Sequence, residues 1–228
     1  MRNASTMRPE EAVPGSGVCQ HLDPGLSLTL GDLATLMIMV SDNWATDLVI
    51  AQIGKTAVAD TARRLGLDST RFIFTMREMF CARYGLDSDN PTLTPAALAR
   101  LVDTIVTPPA GETQALPPDN VSTPADMTTL LPAIHAGRDL PGTSHTALVA
   151  SLRRQTNRTI IPARLPAGTV SAHKTGKSPG VANDVGIVET PSRSFAIAFL
   201  SEGLTDVSEA MSRMAWASRW IWDLMSCR

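Results

Sequence analysis

Two short segments of the sequence carry side chains that could take part in chemistry. The first is Ser41-Asp42-Asn43, here called the Ser-Asp-Asn segment, and the second is Lys174-Thr175-Gly176, the Lys-Thr-Gly segment. A serine hydroxyl both donates and accepts hydrogen bonds, which suits a proton relay, and an asparagine amide can hold a substrate carbonyl. The lysine cation and the threonine hydroxyl both suit a substrate carboxylate. The glycine leaves room for a ligand close to a strand edge.

Each segment also has a plain structural explanation. Ser, Asp and Asn are all good helix caps, and Lys-Thr-Gly can simply end a strand at a turn glycine. Either segment alone favours that explanation, whereas both together, in this order, favour a site. His173 precedes the Lys-Thr-Gly segment on the same predicted strand, so alternation directs its side chain to the opposite face. His21, His135 and His173 are therefore predicted to be structural or surface residues.

The elements that must position the two segments predict an α+β fold, with a helical part followed by an antiparallel sheet flanked by helices. Residues 1–28 are rich in Pro and Gly and are predicted to be a loop. Thr29 and Asp32 resemble a capping box that opens an apolar, central helix running to about Val40. Further helices are predicted at about 44–53, 56–65, 95–106, 124–136, 144–154 and 206–225, with a Pro-rich loop at 107–118.

Three strands are predicted after Gly168, at 170–175, 183–189 and 194–201. Their short links imply antiparallel neighbours. The last strand is apolar on both faces, which predicts that it is buried. We expect residues 1–228 to form a single domain.

Composition excludes several classes of protein. The 228 residues are 43% hydrophobic and 18% charged, which is typical of a chain with a folded core. A net charge of −2 and only 4% aromatic residues argue against a nucleic-acid binder. The sequence has no apolar run long enough to span a membrane. Its three cysteines, Cys19, Cys81 and Cys227, have no metal-site spacing, so we expect neither a metal nor a cofactor.

The two segments and their surroundings resemble the class A β-lactamase family of penicillin-recognising serine hydrolases. The likeness runs from about residue 8 to the C-terminus and includes residues 28–33, 120–124 with Met127, and 165–168. It implies a β-lactamase/transpeptidase-like fold in which Ser41, Asn43 and Lys174 belong to the catalytic machinery. Thr175 and Gly176 would bind substrate, and the backbone N–H of Lys177 would help to stabilise an oxyanion.

The sequence departs from the family pattern at the nucleophile. The family carries it in a Ser-x-x-Lys string upstream of Ser-Asp-Asn, whereas the only such string in this chain is Ser171 to Lys174, inside the predicted strand. We interpret that string as coincidental. By the family spacing the motif would precede Met1, so the resemblance implies a chain that starts inside the fold. The N-terminal strands and the nucleophile helix of the family would then be absent.

A second departure concerns the glutamate that hydrolyses the acyl-enzyme. Glu78 is the nearest candidate, but its surroundings do not match the family's Glu-x-x-Leu-Asn string, and a surface carboxylate is an equally open interpretation. Without a positioned glutamate, deacylation would be slow. Trp44 and Lys177 are bulky residues directly after the two segments, and we expect them to narrow a substrate cleft.

Three functional hypotheses follow. The first is a β-lactamase-like serine hydrolase, the second a transpeptidase-like or esterase-like hydrolase, and the third a non-catalytic fragment that binds peptidoglycan-like ligands. The expected partner is a small β-lactam or peptidoglycan-like molecule. Family members are typically exported, although the sequence opens without a signal peptide. We also expect self-association, because the last strand would form an open apolar edge and Trp216 and Trp220 would be exposed.

Overall fold

The computed structural model describes residues 4–103 and 120–227, and the predicted loop at 107–118 lies outside them. The described residues form eight α-helices and five β-strands. The elements are β1 (Ala4–Thr6), β2 (Ser27–Thr29), α1 (Leu30–Met39), α2 (Asn43–Ile53), α3 (Lys55–Arg64), α4 (Met76–Arg83), α5 (Pro95–Asp103), α6 (Pro124–His135), α7 (Gly142–Arg153), β3 (Ser171–Ser178), β4 (Val181–Glu189), β5 (Ser194–Phe199) and α8 (Val207–Ser226). Helices followed by an antiparallel sheet confirm the predicted α+β class.

The chain divides into two compact units, and the expectation of a single domain stays a prediction. The helical unit contains residues 4–62, 71–103 and 120–121 of the described chain. Its core is apolar and comes from α1, α2, α4, α5 and the N-terminal segment. The buried members of this core are Met7, Val13, Cys19, Leu33, Trp44, Ala45, Leu48, Val49, Phe80, Cys81 and Leu98.

The sheet unit contains residues 63–70 and 122–227 of the described chain. Its strands lie in the order β3-β4-β5, and both pairs are antiparallel. Residues Ile161, Val188 and Ile197 form the buried centre of this unit, and Trp222 and Ile221 of α8 pack against them. The β3–β4 register fixes the Lys-Thr-Gly segment, because Lys174, Thr175 and Gly176 lie opposite Val185, Asp184 and Asn183.

Local capping signals locate helix starts correctly. The Thr29 side chain accepts a hydrogen bond from the Asp32 N–H at 3.1 Å, and the Asp32 carboxylate accepts one from the Thr29 N–H, which completes the capping box of α1. Asp206 caps α8 by accepting from the Glu209 N–H at 2.8 Å. These bonds satisfy N–H groups that the first turn of a helix cannot pair.

Three expectations about burial and local structure are wrong. Within the predicted N-terminal loop, β1 pairs with β2 in an antiparallel ladder. Helix α1 is not central, because Leu33 is its one fully buried residue and the other apolar side chains are half-buried. Strand β5 is not buried, because Ile197 alone among its residues is. Among the described strands, β5 pairs only with β4, so it has no strand on its other side to bury it.

Within residues 4–103 and 120–227, every helix is too short or too polar to cross a lipid bilayer.

Candidate active site

Ser41 lies at the junction of α1 and α2 in a conformation that side chains rarely adopt. Its φ is 54°, in the left-handed region that costs a non-glycine residue roughly 1–2 kcal/mol. Helix α1 ends at Met39, and Asp42 caps α2 by accepting a hydrogen bond from the Ala45 N–H at 2.9 Å. Ser41 is therefore one of the three residues that join the end of α1 to the start of α2.

The surrounding contacts hold this conformation in place. The Asp42 carboxylate, only 1% exposed, also accepts from the N–H groups of Val18 at 2.7 Å and Cys19 at 2.8 Å. The Asn43 N–H donates to the Ser16 carbonyl at 3.1 Å, and the Ser16 hydroxyl donates to the Ser41 carbonyl at 2.8 Å. The Ser-Asp-Asn segment is therefore fixed by residues that are 23 to 27 positions away in sequence.

The Asn43 side chain has a defined orientation. Its Nδ2 donates to the Pro14 carbonyl at 2.8 Å, and its Oδ1 lies 3.3 Å from the Ser16 hydroxyl. An amide nitrogen carries two N–H donors, so the Pro14 bond uses one of them.

The residues that hold the Ser-Asp-Asn segment were missed by the sequence analysis. A Cβ on Gly17, whose φ is 105°, would lie 2.4 Å from the Asp42 Cα, and one on Gly15 would lie 2.6 Å from Asn43 Nδ2. Both glycines are therefore needed for close approach to the segment. The available signal was the pair of glycines on either side of Ser16, after Pro14. Without knowledge of their contact with the Ser-Asp-Asn segment, these glycines indicate only a loop.

Cys19 is a nucleophilic residue beside this segment, but its environment keeps it inert. Burial, together with the charge of Asp42, raises the pKa of its thiol to about 12. The thiolate is the nucleophilic form of cysteine. Cys19 therefore remains a protonated core residue at neutral pH.

Glu78 lies near the N-terminus of α4 and has two partners. It completes a capping box with Thr75, whose N–H donates to Glu78 Oε2 at 2.8 Å, and Lys55 Nζ lies 2.8 Å from both carboxylate oxygens. Burial raises the pKa of Glu78, but the hydrogen bond from Lys55, the Thr75 N–H and the Lys55 charge outweigh it, and the net pKa is lowered. A general base works best with a pKa near the working pH. This environment favours a capping and ion-pairing carboxylate.

Lys174 lies in β3 of the sheet unit and is partly exposed to solvent. Its ammonium donates to the carbonyl of Thr175. Burial lowers its pKa to about 8, although the negative charge of Asp184 acts in the opposite direction. The side chain therefore changes its charge close to neutral pH, as groups at functional sites often do.

The remaining members of the predicted binding set differ in exposure. Thr175 is buried, whereas Gly176 and Lys177 are exposed. A Cβ on Gly176 would come no closer than 3.7 Å to Asn183, an ordinary contact, so the fold itself does not require a glycine there. Trp44, predicted to narrow a cleft, is instead 3% exposed and packs in the core of the helical unit, so that prediction is wrong.

His173 is fully buried while Lys174 is partly exposed, in agreement with the predicted alternation. Its Nδ1 lies 2.9 Å from Oδ1 of Asp184, which is fully buried too. Asp184 was not singled out in the sequence, because only the strand register reveals that it faces this histidine.

The structure thus distributes the predicted residues over the two units. The helical unit holds Ser41 and Asn43 in one short segment, with Glu78 at the start of a separate helix. The sheet unit holds Lys174, Thr175, Gly176 and Lys177 on one strand. Among the described residues, no group of three His, Cys, Asp or Glu side chains could hold a metal ion.

Comparisons with a protein-family model and with solved structures give consistent matches. A model of the Beta-lactamase enzyme family matches residues 1–225. The solved β-lactamase of Sphaerobacter thermophilus is 30% identical, with 98% of this chain and 74% of that chain covered and a TM-score of 0.75. A β-lactamase of Chitinophaga pinensis (24% identity, 98% and 76% covered, TM-score 0.76) and PBP-A (24%, 100% and 72%, TM-score 0.75) support the fold alone. A search of curated proteins gave no match.

Proposed function

Because the chain belongs to the β-lactamase enzyme family, we propose that it is a class A β-lactamase-like serine hydrolase, which opens the β-lactam amide through an acyl-enzyme. The observation that carries this proposal is the conformation of the Ser-Asp-Asn segment. Ser41 has a φ of 54°, and the flanking Asp42 and Asn43 are held by long-range hydrogen bonds. Strained residues that their surroundings over-determine cluster at functional sites.

The proposed roles follow from donors and charges. The Ser41 hydroxyl relays a proton toward the leaving nitrogen, which needs a group that both donates and accepts. The second N–H of Asn43 Nδ2 is the donor for the substrate amide carbonyl, because the first is held by Pro14. Lys174 and Thr175 bind the substrate carboxylate.

Two further positions complete the proposed binding set. Gly176 allows the substrate to lie against the strand, which supplies a reason for a glycine that the fold itself does not require. The Lys177 backbone N–H supplies one oxyanion donor.

The nucleophile requires separate treatment. Ser171, the serine of the single Ser-x-x-Lys string in the sequence, is only 3% exposed, and its lysine is Lys174 of the Lys-Thr-Gly segment. A buried serine at the first position of β3 is poorly placed to attack a substrate. The test of function must therefore include the product of the native reading frame that contains residues 1–228.

The first experiment is intact-protein mass spectrometry after incubation with penicillin G, combined with turnover of a chromogenic cephalosporin. A covalent adduct that hydrolyses supports the proposal. In the product of the native frame, Ser41→Ala should slow acylation roughly 10²–10⁴-fold, the range for loss of a proton-transfer group. Ser192→Ala, at an exposed serine of the β4–β5 turn, is the matched control and should leave the rate unchanged. Absence of both adduct and turnover would refute the enzyme proposal.

A transpeptidase-like or esterase-like hydrolase is the second candidate, and Glu78 favours it. Its lowered pKa and its contact with Lys55 leave it poorly suited to activating a deacylating water. A long-lived penicilloyl adduct with faster turnover of an acyl ester would support this candidate. Reversible binding by calorimetry without an adduct would instead indicate a non-catalytic binder of peptidoglycan-like ligands.

We further propose that the isolated chain self-associates through α8 and β5. Trp216 is 44% and Trp220 63% exposed, and β5 has a single partner among the described strands. Large exposed apolar side chains beside an unpaired strand edge favour association. If light scattering shows a monodisperse monomer at the protein concentrations used for NMR, this proposal is contradicted.

A further inference from the structure

An asparagine on β4 lies beside the glycine of the Lys-Thr-Gly segment and has no role in the proposed mechanism. Asn183 lies opposite Gly176 in the β3–β4 register, and side chains of directly opposite residues project from the same face of a sheet. A Cβ built on Gly176 would lie 3.7 Å from the Asn183 Cβ and 3.9 Å from its Nδ2. The space that the glycine leaves open is therefore bordered by the Asn183 amide.

One hydrogen bond sets the orientation of this amide. Asn183 Oδ1 accepts from the Ser201 N–H at 2.7 Å, close to the end of the β4–β5 ladder. A backbone N–H can bond only to an acceptor, so the amide cannot be turned over without loss of this bond. Asn183 is half-buried, and within residues 4–103 and 120–227 its Nδ2 donates no hydrogen bond. A purely structural role at the end of the ladder uses the oxygen and leaves the two N–H donors idle.

The open space lies on the face of the sheet that carries Lys174. Side chains alternate along a strand, so Lys174 and a Cβ at position 176 project to the same face. Asn183 is the diagonal neighbour of Lys174 on that face, and such neighbours are about 7–8 Å apart, within reach of a long side chain. A ligand that fills the space over Gly176 therefore has the lysine on one side and the amide on the other.

We infer that Asn183 is a substrate-binding residue, whose Nδ2 donates to the substrate carboxylate over Gly176. The two oxygens of a carboxylate offer about four acceptor sites, so a single cation does not satisfy them. A hydrogen bond to an ionised acceptor is also stronger than one between neutral groups. This inference rests on the proposed function, which places the substrate against Gly176 and its carboxylate beside Lys174. It predicts that Asn183 favours a substrate with a free carboxylate over the neutral ester of the same molecule.

Asn183→Asp separates substrate binding from a structural role. The aspartate keeps an acceptor for the Ser201 N–H but replaces the two N–H donors with a negative charge. Penicillin G and its methyl ester differ only at the carboxylate. In the product of the native reading frame, kcat/KM for penicillin G relative to the ester should fall roughly 10²-fold in Asn183→Asp, because like charges repel. Most of this fall should appear in KM rather than in kcat, since the contact is one of binding.

A second variant and a control complete the test. Asn183→Ala removes the donors without adding a charge, so the same ratio should fall roughly 10-fold. Both substrates are measured on one sample, so the ratio does not depend on the folded fraction. In the matched control, Asn157→Asp, Asn157 is also half-buried and its Oδ1 also accepts a backbone N–H, from Thr159 at 3.2 Å, but it lies between α7 and β3. The control should leave the ratio unchanged. An unchanged ratio in Asn183→Asp, or an equal fall in the control, would overturn the inference.

A binding measurement separates failure of this inference from failure of the proposed function. In the same protein labelled with ¹⁵N-asparagine, Asn183→Asp identifies the side-chain NH₂ signals of Asn183 by their loss. Penicillin G should shift these signals in a saturable way, and the methyl ester should shift them much less. Such a shift without adduct or turnover would support the binding role and refute the hydrolase. Turnover with no shift and an unchanged ratio would overturn the inference and leave the hydrolase standing, and absence of both turnover and shift would overturn both.

Discussion

The three backbone N–H groups that donate to the Asp42 carboxylate make replacement of Asp42 the sharpest test of how the Ser-Asp-Asn segment is held. In Asp42→Ala, α2 loses its N-cap bond from Ala45, which costs about 1 kcal/mol. The N–H groups of Val18 and Cys19 also lose their acceptor. The first is partly buried and the second buried, so we assign them about 1 and about 2 kcal/mol. The expected loss in the free energy of unfolding is therefore about 4 kcal/mol.

Asp206→Ala is the matched control, because the Asp206 carboxylate also caps a helix but accepts only one backbone N–H, at an exposed position. Its removal should cost about 1 kcal/mol. Urea unfolding followed by circular dichroism measures both losses, with the slopes compared to verify that the unfolded state is unchanged. If Asp42→Ala costs no more than Asp206→Ala, the long-range bonds do not hold the segment and the argument fails.

Three further changes test other parts of the structure. Gly17→Ala should lower the free energy of unfolding by at least about 2 kcal/mol, because the new Cβ would meet the backbone of the Ser-Asp-Asn segment. Gly25 also has a positive φ but lies in open space, so Gly25→Ala is the control and should cost only about 1 kcal/mol. Urea unfolding measures both losses. The pKa of Lys174 is lowered from 10.5 to about 8, so between these pH values the unfolded chain binds more protons than the folded chain. The free energy of unfolding should therefore rise with pH across that window, by at most about 3 kcal/mol. A similar rise in Lys174→Met would contradict this. The pKa of Glu78 is lowered, so its pair with Lys55 stabilises the fold above about pH 4.5 and does so less as pH falls below that value. Lys55→Met should therefore lower the free energy of unfolding by less than about 1 kcal/mol at pH 7. The difference from wild type should shrink in acid.

Features that depend on neighbouring residues were predictable from the sequence. The caps at Thr29 and Asp206 and the three strands after Gly168 follow from signals within a few residues, and the structure confirms them. The alternation that separates His173 from Lys174 is equally local. Such signals report which backbone conformation a segment prefers.

Features that depend on distant partners were not predictable. The β1–β2 pair joins residues more than 20 positions apart with only three residues in each strand, too few for an alternating pattern. The contact of Gly17 with Asp42 and of His173 with Asp184 requires knowledge of chain reversal and register. The half-buried state of α1 has the same origin, since apolar residues indicate a preference for burial but not which element covers them.

At position 41, the residue type that would give the most stable fold differs from the type that the proposed chemistry requires. Glycine adopts a φ of 54° at no steric cost, so Ser41→Gly should recover about 1 kcal/mol, less the extra entropy that glycine loses on folding. The same change deletes the hydroxyl that the proposed proton relay requires. A screen for thermal stability alone would thus tend to accept Gly at position 41, whereas a screen for turnover would reject it. Under the proposed mechanism, use of the hydroxyl as a proton relay is what compensates for the cost of a serine in this conformation.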